Sequence, residues 1–287
     1  MKRAILHRVL GTKVFVQFLY FRENGRLPNF KSPRLIGEKI SWLKLYDYSP
    51  HYNKYADKLL LKSELKALGF EALVIPTAMI IENWDNISWS DLVYPLIIKT
   101  SSGSGDYKLI KEQPSRQRQI ELRDHFTKAA RVDLFLRKGE PVYRNQDNRV
   151  FIEGVFNDDL EPIDIKVHVG KEGVFLYYIT SDRFGDCFRG IYDTDLEYLK
   201  ASWDYNKKLN GDVYSFKPRG DLNSLVGNVK EISEAVFEKI GSRYLRIDFL
   251  YSKGALAIGE ITFYHMSGIA EISPLDLNMK IAKNIVI

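Results

Sequence analysis

The stretch RIDFLYSKGALAIGEIT, residues 246–262, reads as two strands joined by a tight turn at Ser252-Lys253-Gly254, where Gly254 is free to take a positive φ. In a register whose partner numbers sum to about 506, Asp248 faces Ile258 and Arg246 faces Glu260. Side chains alternate along a strand. Arg246, Asp248, Glu260 and Thr262 therefore share one face, and Ile247, Phe249, Ala257 and Ile261 share the other. The second face is core material. The first holds two carboxylates one diagonal apart, roughly 7 Å or less between Cβ atoms, close enough to grip one hard cation. Magnesium suits such a pair, being usually held by one or two carboxylates plus substrate phosphates. A surface hairpin with solvated charges fits the same pattern.

A chain of 287 residues exceeds one typical domain and can bury a substantial core. Its 45% apolar and 28% charged residues are ordinary for a soluble globular protein. The single cysteine, Cys187, excludes an intramolecular disulfide and fits a reducing compartment, so a cytoplasmic location is expected. The histidines, His7, His51, His125, His168 and His265, show no zinc-ligand spacing.

The front of the chain is basic: residues 1–70 hold 14 Lys/Arg and 5 Asp/Glu. That charge can draw in an anionic partner such as an acidic glycan, an anionic lipid carrier or a membrane surface, or it can simply be a solvated helical face. No recognised nucleic-acid motif accompanies it. Arg8 and Lys13 interrupt any signal-peptide apolar region, and the apolar run of residues 15–21 is far short of the ~20 residues a membrane span needs. Ile5, Val9, Phe15, Phe18 and Leu19 approximate one helical face, suited to docking on the core or, with its basic flanks, to a peripheral membrane contact.

Pro33 to Tyr48 reads as a helix with Ser32 as its N-cap, and Tyr52 to Leu68 as a second, closed by Gly69. Short apolar runs at 73–75 and 78–81 flank Pro76. The strand Pro95 to Thr100 leads into Ser101-Ser102-Gly103-Ser104-Gly105-Asp106 and a second strand, Tyr107 to Lys111. Such a loop can fold N–H groups and hydroxyls around phosphate oxygens, and Lys99 can reach phosphates across it. It matches neither the Walker A loop nor the Rossmann fingerprint, and a plain hairpin turn also accounts for it. A helix is expected over Gln113 to Arg137. Strands are expected over Arg149 to Phe156, Pro162 to Gly170, Val174 to Ser181 and Cys187 to Tyr192. In the second of these, Asp164, Lys166 and His168 share a face. Helices over Leu222 to Ile240 and Ser273 to Ile287 bracket the hairpin. Helices followed by antiparallel strands make the class α+β.

The sequence resembles the TupA-like branch of the ATP-grasp superfamily, of the surface-polysaccharide and teichuronopeptide biosynthesis type. The densest matches are GEKISWLKLYDYSPHYNKYADK (37–58), PLIIKTSSGSGDYKLI (95–110), VFIEGVF (150–156), DIKVHV (164–169), SDRF (181–184), RIDFLY (246–251) and GEITF (259–263). The resemblance implies an ATP-grasp fold: two α+β lobes enclosing a nucleotide, with a helical N-terminal extension. Residues 1–71 would be the helical region, with a role in acceptor binding. Residues 72–152 would form the central domain with its lid loop, and 153–287 the C-terminal domain with the magnesium hairpin.

ATP and Mg2+ are the implied cofactors. By the same resemblance Lys99 contacts the α/β phosphates, Ser101, Ser102, Gly103, Ser104 and Gly105 form the lid, and Glu153 lies in the segment lining the adenine pocket. Lys166 stands near the phosphates, Arg183 faces the reaction centre, and Arg246 stabilises charge on the transferring group. Asp248 and Glu260 are the implied magnesium ligands, with Thr262 at the third position. The chain departs from the superfamily where Glu260 is followed by Ile261-Thr262 rather than Glu-x-Asn, where Asp106 replaces a lid glycine, and where Tyr264-His265-Met266-Ser267-Gly268 replaces a Pro-Gly-Ser-Gly-like turn.

The implied activity is an ATP-dependent carboxylate–amine ligation through an acylphosphate. It would join an amino acid or other amine to a uronic-acid carboxylate of a capsule or O-antigen glycan or its precursor. A sugar kinase on the same scaffold and a non-catalytic glycan-binding protein are the rival readings.

Overall fold

The computed structural model describes residues 2–103, 105–181, 188–203 and 222–287. The expectations for Ser104, Arg183 and Cys187 lie outside the described residues.

Helix α1 (Lys2–Asn24) is kinked at Gly11, whose φ of 71° and ψ of 161° suit glycine and strain any other residue. Its buried side is His7, Phe15, Val16, Leu19 and Tyr20; Ile5, Val9 and Phe18, expected on the docked face, are exposed. The kink shifts the helical phase between the two halves, so one continuous periodicity does not describe both. Helix α2 (Ile36–Tyr46) begins later than Ser32 and Pro33 suggest. The buried Glu38 carboxylate accepts the N–H groups of Asn29, Arg34 and Leu35, holding the entry segment extended. The expected helix over 52–68 is two pieces, α3 (Asn53–Ala56) and α4 (Lys58–Ala67). Asp57 separates them: it is extended and caps α4 by accepting from Leu59 and Leu60.

The first sheet contains β1 (Thr77–Ile81), β2 (Leu96–Thr100), β3 (Tyr107–Ile110) and β4 (Val150–Gly154), in the order β1-β4-β2-β3. The strand β4 runs across the 152/153 boundary drawn from the sequence. Between β3 and β4 the expected single helix is α5 (Arg116–Ala130) and α6 (Leu134–Lys138), divided because Asp133 caps the second by accepting from Leu136. Leu122 and Phe126 of α5 pack with Leu96, Ile98, Ile110 and Ile152.

The second sheet contains β5 (Ile163–Gly170), β6 (Gly173–Ser181), β7 (Phe188–Tyr192), β8 (Tyr198–Leu199), β9 (Tyr244–Ser252) and β10 (Ala255–Thr262). All neighbours are antiparallel, in the order β10-β9-β5-β6-β7-β8. Helix α7 (Leu222–Ile240) joins Val229, Val236 and Ile240 to the larger core with Val167, Val169, Ile247 and Phe249. The closing helix α8 is confined to Leu275–Ala282.

The hairpin β9–β10 departs from the simple register. Lys253 and Gly254 both take positive φ, 48° and 85°, as a two-residue hairpin turn of the primed kind requires. Ser252 therefore pairs with Ala255, and Phe249 with Ile258. A bulge between Ile258 and Glu260 then shifts the pairing by one more residue. Asp248 stands directly opposite Glu260, and Arg246 opposite Thr262. On β10 the core position falls to Ile258, which joins Ile247, Phe249 and Ile261. Ala257 instead pairs with Leu250 and takes the face of Asp248.

Behind the hairpin, the segment 264–271 is clamped by α2. Ser41 donates to the Gly268 carbonyl at 2.6 Å, the buried Lys44 ammonium donates to the Ser267 carbonyl at 2.6 Å, and the Glu271 carboxylate accepts the Gly37 N–H at 3.0 Å. A Cβ at Gly37 would sit 2.9 Å from the Ala270 carbonyl, so only glycine lets the helix approach this closely.

Candidate active site

Lys99 near the end of β2, Lys166 on β5, Arg246 and Asp248 on β9 and Glu260 on β10 all line one cavity of about 350 Å³ between the two sheets. Ile97, Leu109, Val155, Leu160, Tyr178 and Leu250 give it an apolar side. Of the site residues expected from the sequence, Lys99, Gly103, Gly105, Glu153, Lys166, Arg246, Asp248 and Glu260 line this cavity, whereas Ser101, Ser102 and Thr262 do not.

Directly opposed like charges in a ladder are destabilising, and here they are half-buried, so water screens them only in part. Cations offset the cost. Arg246 grips Asp248 with two bonds, Nε to Oδ1 at 2.6 Å and Nη2 to Oδ2 at 2.7 Å. Lys166 stands 3.7 Å from Asp248 and is hydrogen-bonded to Asp164. Lys58 lies 3.8 Å from Glu260. Burial works against the Glu260 carboxylate, but Lys58, Arg246 and Lys138 outweigh it and hold its pKa below the usual range. The third guanidinium nitrogen of Arg246 donates to His265 Nδ1 at 2.6 Å. Burial and the Arg246 charge push His265 well below its ordinary pKa, so it is neutral and accepts at that nitrogen.

The donor set on this face is all oxygen: two facing carboxylates and the Thr262 hydroxyl, which donates to Glu260 Oε1 at 3.3 Å. That chemistry fits magnesium. Among the described residues no third His, Cys, Asp or Glu gathers with them into a metal cluster, so the set suits a cation shared with substrate phosphates rather than a closed protein metal centre.

The Gly/Ser loop has a base fastened within the fold and glycines that line the cavity. Ser101 and Ser102 are buried. Ser101 donates its hydroxyl to Asp57 at 2.5 Å, its N–H goes to the Arg149 carbonyl, and its own carbonyl accepts the Lys58 N–H at 2.7 Å. Ser102 donates its hydroxyl to Gln146 at 2.6 Å and its N–H to Asn148. Their polar groups are committed to the base of the loop, not turned into the cavity. Gly103 and Gly105 do line the cavity, with φ of 81° and 91° that favour glycine.

Glu153 lines the cavity with its segment of β4. Its buried carboxylate pairs with Lys99 and, at 2.9 Å, with Lys62, and both ammoniums lie over the Phe151 ring. Burial opposes its ionisation, but the two lysines prevail and its pKa is lowered.

Lys58 is a residue of the cavity to which the local sequence pattern assigns no role. It donates its ammonium to the Gly103 carbonyl while facing Glu260, so one side chain ties the loop to the carboxylate hairpin. Burial is the first cause of its lowered pKa. The signal was its place at the end of the 37–58 block beside Asp57, which anchors Ser101. Replacing Lys58 with Met should speed amide exchange at residues 103–106 by about tenfold, the loss of one tether. Unchanged exchange there would show that the loop is held by its base alone.

No curated protein sequence matches the chain. Solved structures with a similar course include a D-alanine–D-alanine ligase from Helicobacter pylori, at 17% identity over 88% of this chain and 69% of that one, TM-score 0.45. An L-amino acid ligase from Bacillus licheniformis is similar at 11% identity over 90% of this chain and 56% of that one, TM-score 0.45. A D-alanine–D-alanine ligase from Bacillus anthracis is similar at 17% identity over 73% of this chain and 57% of that one, TM-score 0.39. The chain thus spans between about half and just over two thirds of their lengths. The TupA-like ATPgrasp family matches residues 38–286, from α2 through the carboxylate hairpin to the end of α8 and beyond, and the chain belongs to that family.

Proposed function

We propose that the protein is an ATP-dependent carboxylate–amine ligase that activates a uronic-acid carboxylate as an acylphosphate and joins it to an amino acid or related amine. The single observation that carries this reading is the half-buried, facing Asp248–Glu260 pair, ringed by Lys58, Lys99, Lys166 and Arg246 in one cavity. Facing carboxylates kept at an electrostatic cost, among cations and beside a Gly-rich loop, suit a magnesium–triphosphate complex.

In this reading ATP and magnesium are the cofactors, and Asp248, Glu260 and Thr262 hold the metal. Magnesium there supplies charge compensation at the phosphate oxygens. Lys99, held in place by Glu153, binds the phosphates. The apolar side around Ile97, Val155 and Leu250 takes the base. Arg246 and Lys166 stabilise the charge that gathers as the γ-phosphoryl moves to the acceptor carboxylate, a role that the family resemblance extends to Arg183, outside the described residues. Residues 103–106, with Ser104 among them, close over the phosphates and exclude water. The amine then attacks the acyl carbon, forming the amide and releasing phosphate. Residues 1–71 serve as the acceptor-binding region, followed by the central domain, which keeps β4 whole, and the C-terminal domain with the carboxylate hairpin. The basic front half suits an acidic acceptor of capsule or O-antigen type, handled in the cytoplasm.

Hydroxylamine tests the reaction class. With a uronic-acid acceptor, ATP and magnesium present and the amine left out, a ligase yields a hydroxamate, because hydroxylamine captures the acylphosphate. ADP formation with a stable phosphorylated sugar and no hydroxamate would make the protein a kinase and overturn the ligase reading. No ATP turnover with any uronic acid would favour a glycan-binding protein.

A further inference from the structure

The N-terminal helix has a second side that the core does not use. Helix α1 is seated by His7, Phe15, Val16, Leu19 and Tyr20. His7 stacks on Phe15 at 4.5 Å, accepts or donates to Thr12 at 2.9 Å, and meets the Leu136 carbonyl at 3.2 Å. Tyr20 donates to the Glu271 carboxylate, and Asn24 donates to the Ile269 carbonyl at 2.7 Å. These contacts straddle Gly11 and fix the kink.

Away from the core, each half of the helix shows an apolar strip. Ile5 and Val9 lie one turn apart before the kink; Val14, Phe18 and Phe21 lie at i, i+4 and i+7 after it. Val9 is 77% exposed, Phe21 49%, and Leu27 in the following loop 62%. At helical spacing, Lys2 and Arg8 flank Ile5 and Val9, while Arg22 borders Phe18 and Phe21. Residues 2–34 carry eight Lys/Arg, all exposed, against one acid, Glu23. Bare apolar strips with cations along their borders, on a helix whose other side is firmly docked, form an interfacial surface.

We propose that this side of α1 seats the protein on an anionic lipid surface, with the apolar strips entering the headgroup boundary and the flanking cations meeting lipid phosphates. The charge selects this occupant. A second copy would bring two strongly basic faces together, whereas an anionic bilayer complements both the charge and the bordering arrangement. The seat is independent of the ligase reading. It would nonetheless bring the segment 269–271, where α1 is fastened behind the carboxylate hairpin, toward the membrane side.

Flotation of the full chain with vesicles tests it, comparing equal parts phosphatidylglycerol and phosphatidylcholine with phosphatidylcholine alone. Binding is expected only to the anionic vesicles and should fall about tenfold between about 0.1 and 0.5 M salt. The double variant Val9→Ser/Phe21→Ser should bind about tenfold or more weakly while melting like the parent, since both side chains are exposed. The pair Lys108→Glu/Lys111→Glu, at the β3 hairpin, should bind as the parent does. Four results would overturn the proposal: no binding to either vesicle, equal binding to both, undiminished binding by the serine variant, or a concentration-dependent dimer that the serine variant dissolves. The third would mean only a general attraction of a basic chain, and the fourth a second copy as occupant. None of these results bears on ATP turnover, so this proposal and the ligase reading fail separately.

Discussion

Glu260→Gln should lower ATP turnover by about 10²- to 10³-fold while the fold holds, and Asp248→Asn should lower it as much and also weaken the fold. The two differ because their cations differ. Glu260 faces Asp248 directly, and Lys58 sits 3.8 Å away, so neutralising it removes a like-charge repulsion and a long ion pair together. Those effects oppose each other. Asp248 instead receives both arms of the buried Arg246. Losing that carboxylate leaves a guanidinium without its partner, a change that costs about 3 kcal/mol or more. Thermal melts should therefore separate the variants, and turnover measured against rising magnesium should find both defective. Glu260→Gln running near the parental rate, with an unchanged magnesium requirement, would remove this hairpin as the metal site.

The hairpin shows what the sequence could and could not reveal. Alternation alone put Arg246, Asp248, Glu260 and Thr262 on one face, and they are there. The pairing was not legible, because a two-residue turn and a bulge each move the register by one, and neither leaves a periodic trace. The combined shift turns a diagonal pair into a facing one, which is the tighter cation grip. The break at Asp57 is similar: helix-forming neighbours conceal an aspartate whose side chain caps α4 and holds Ser101 of the Gly/Ser loop. Long-range partners of this kind, 44 residues apart in that bond, have no local signature. The family resemblance did mark the block ending in Asp57 and Lys58, but not what its members touch. Most of its polar residues serve contacts within the fold: Glu38 the entry to α2, Lys39 the Ile285 carbonyl, Ser41 and Lys44 the loop after the hairpin.

Glu153→Gln should destabilise the protein by about 2–4 kcal/mol and weaken ATP and GTP binding by the same factor. The carboxylate is buried between Lys99 and Lys62, and its removal leaves two ammoniums over the Phe151 ring with no counter-charge. Lys62, whose pKa burial already lowers, then loses the carboxylate that opposes that lowering. Lys99 loses the partner that aims it along β2, so phosphate affinity falls whatever base the nucleotide carries. The direction with pH follows from the lowered pKa of Glu153. Its contribution is present above the unfolded carboxylate pKa of about 4.3 and is lost as pH falls through the lower folded value. The gap in melting temperature between parent and variant should therefore be full at neutral pH and close under acid. Were Glu153 instead a direct reader of adenine, the variant would melt like the parent and change the preference between ATP and GTP. An unchanged melting temperature together with altered base preference would make this residue a direct adenine contact and leave Lys99 to be held by other means.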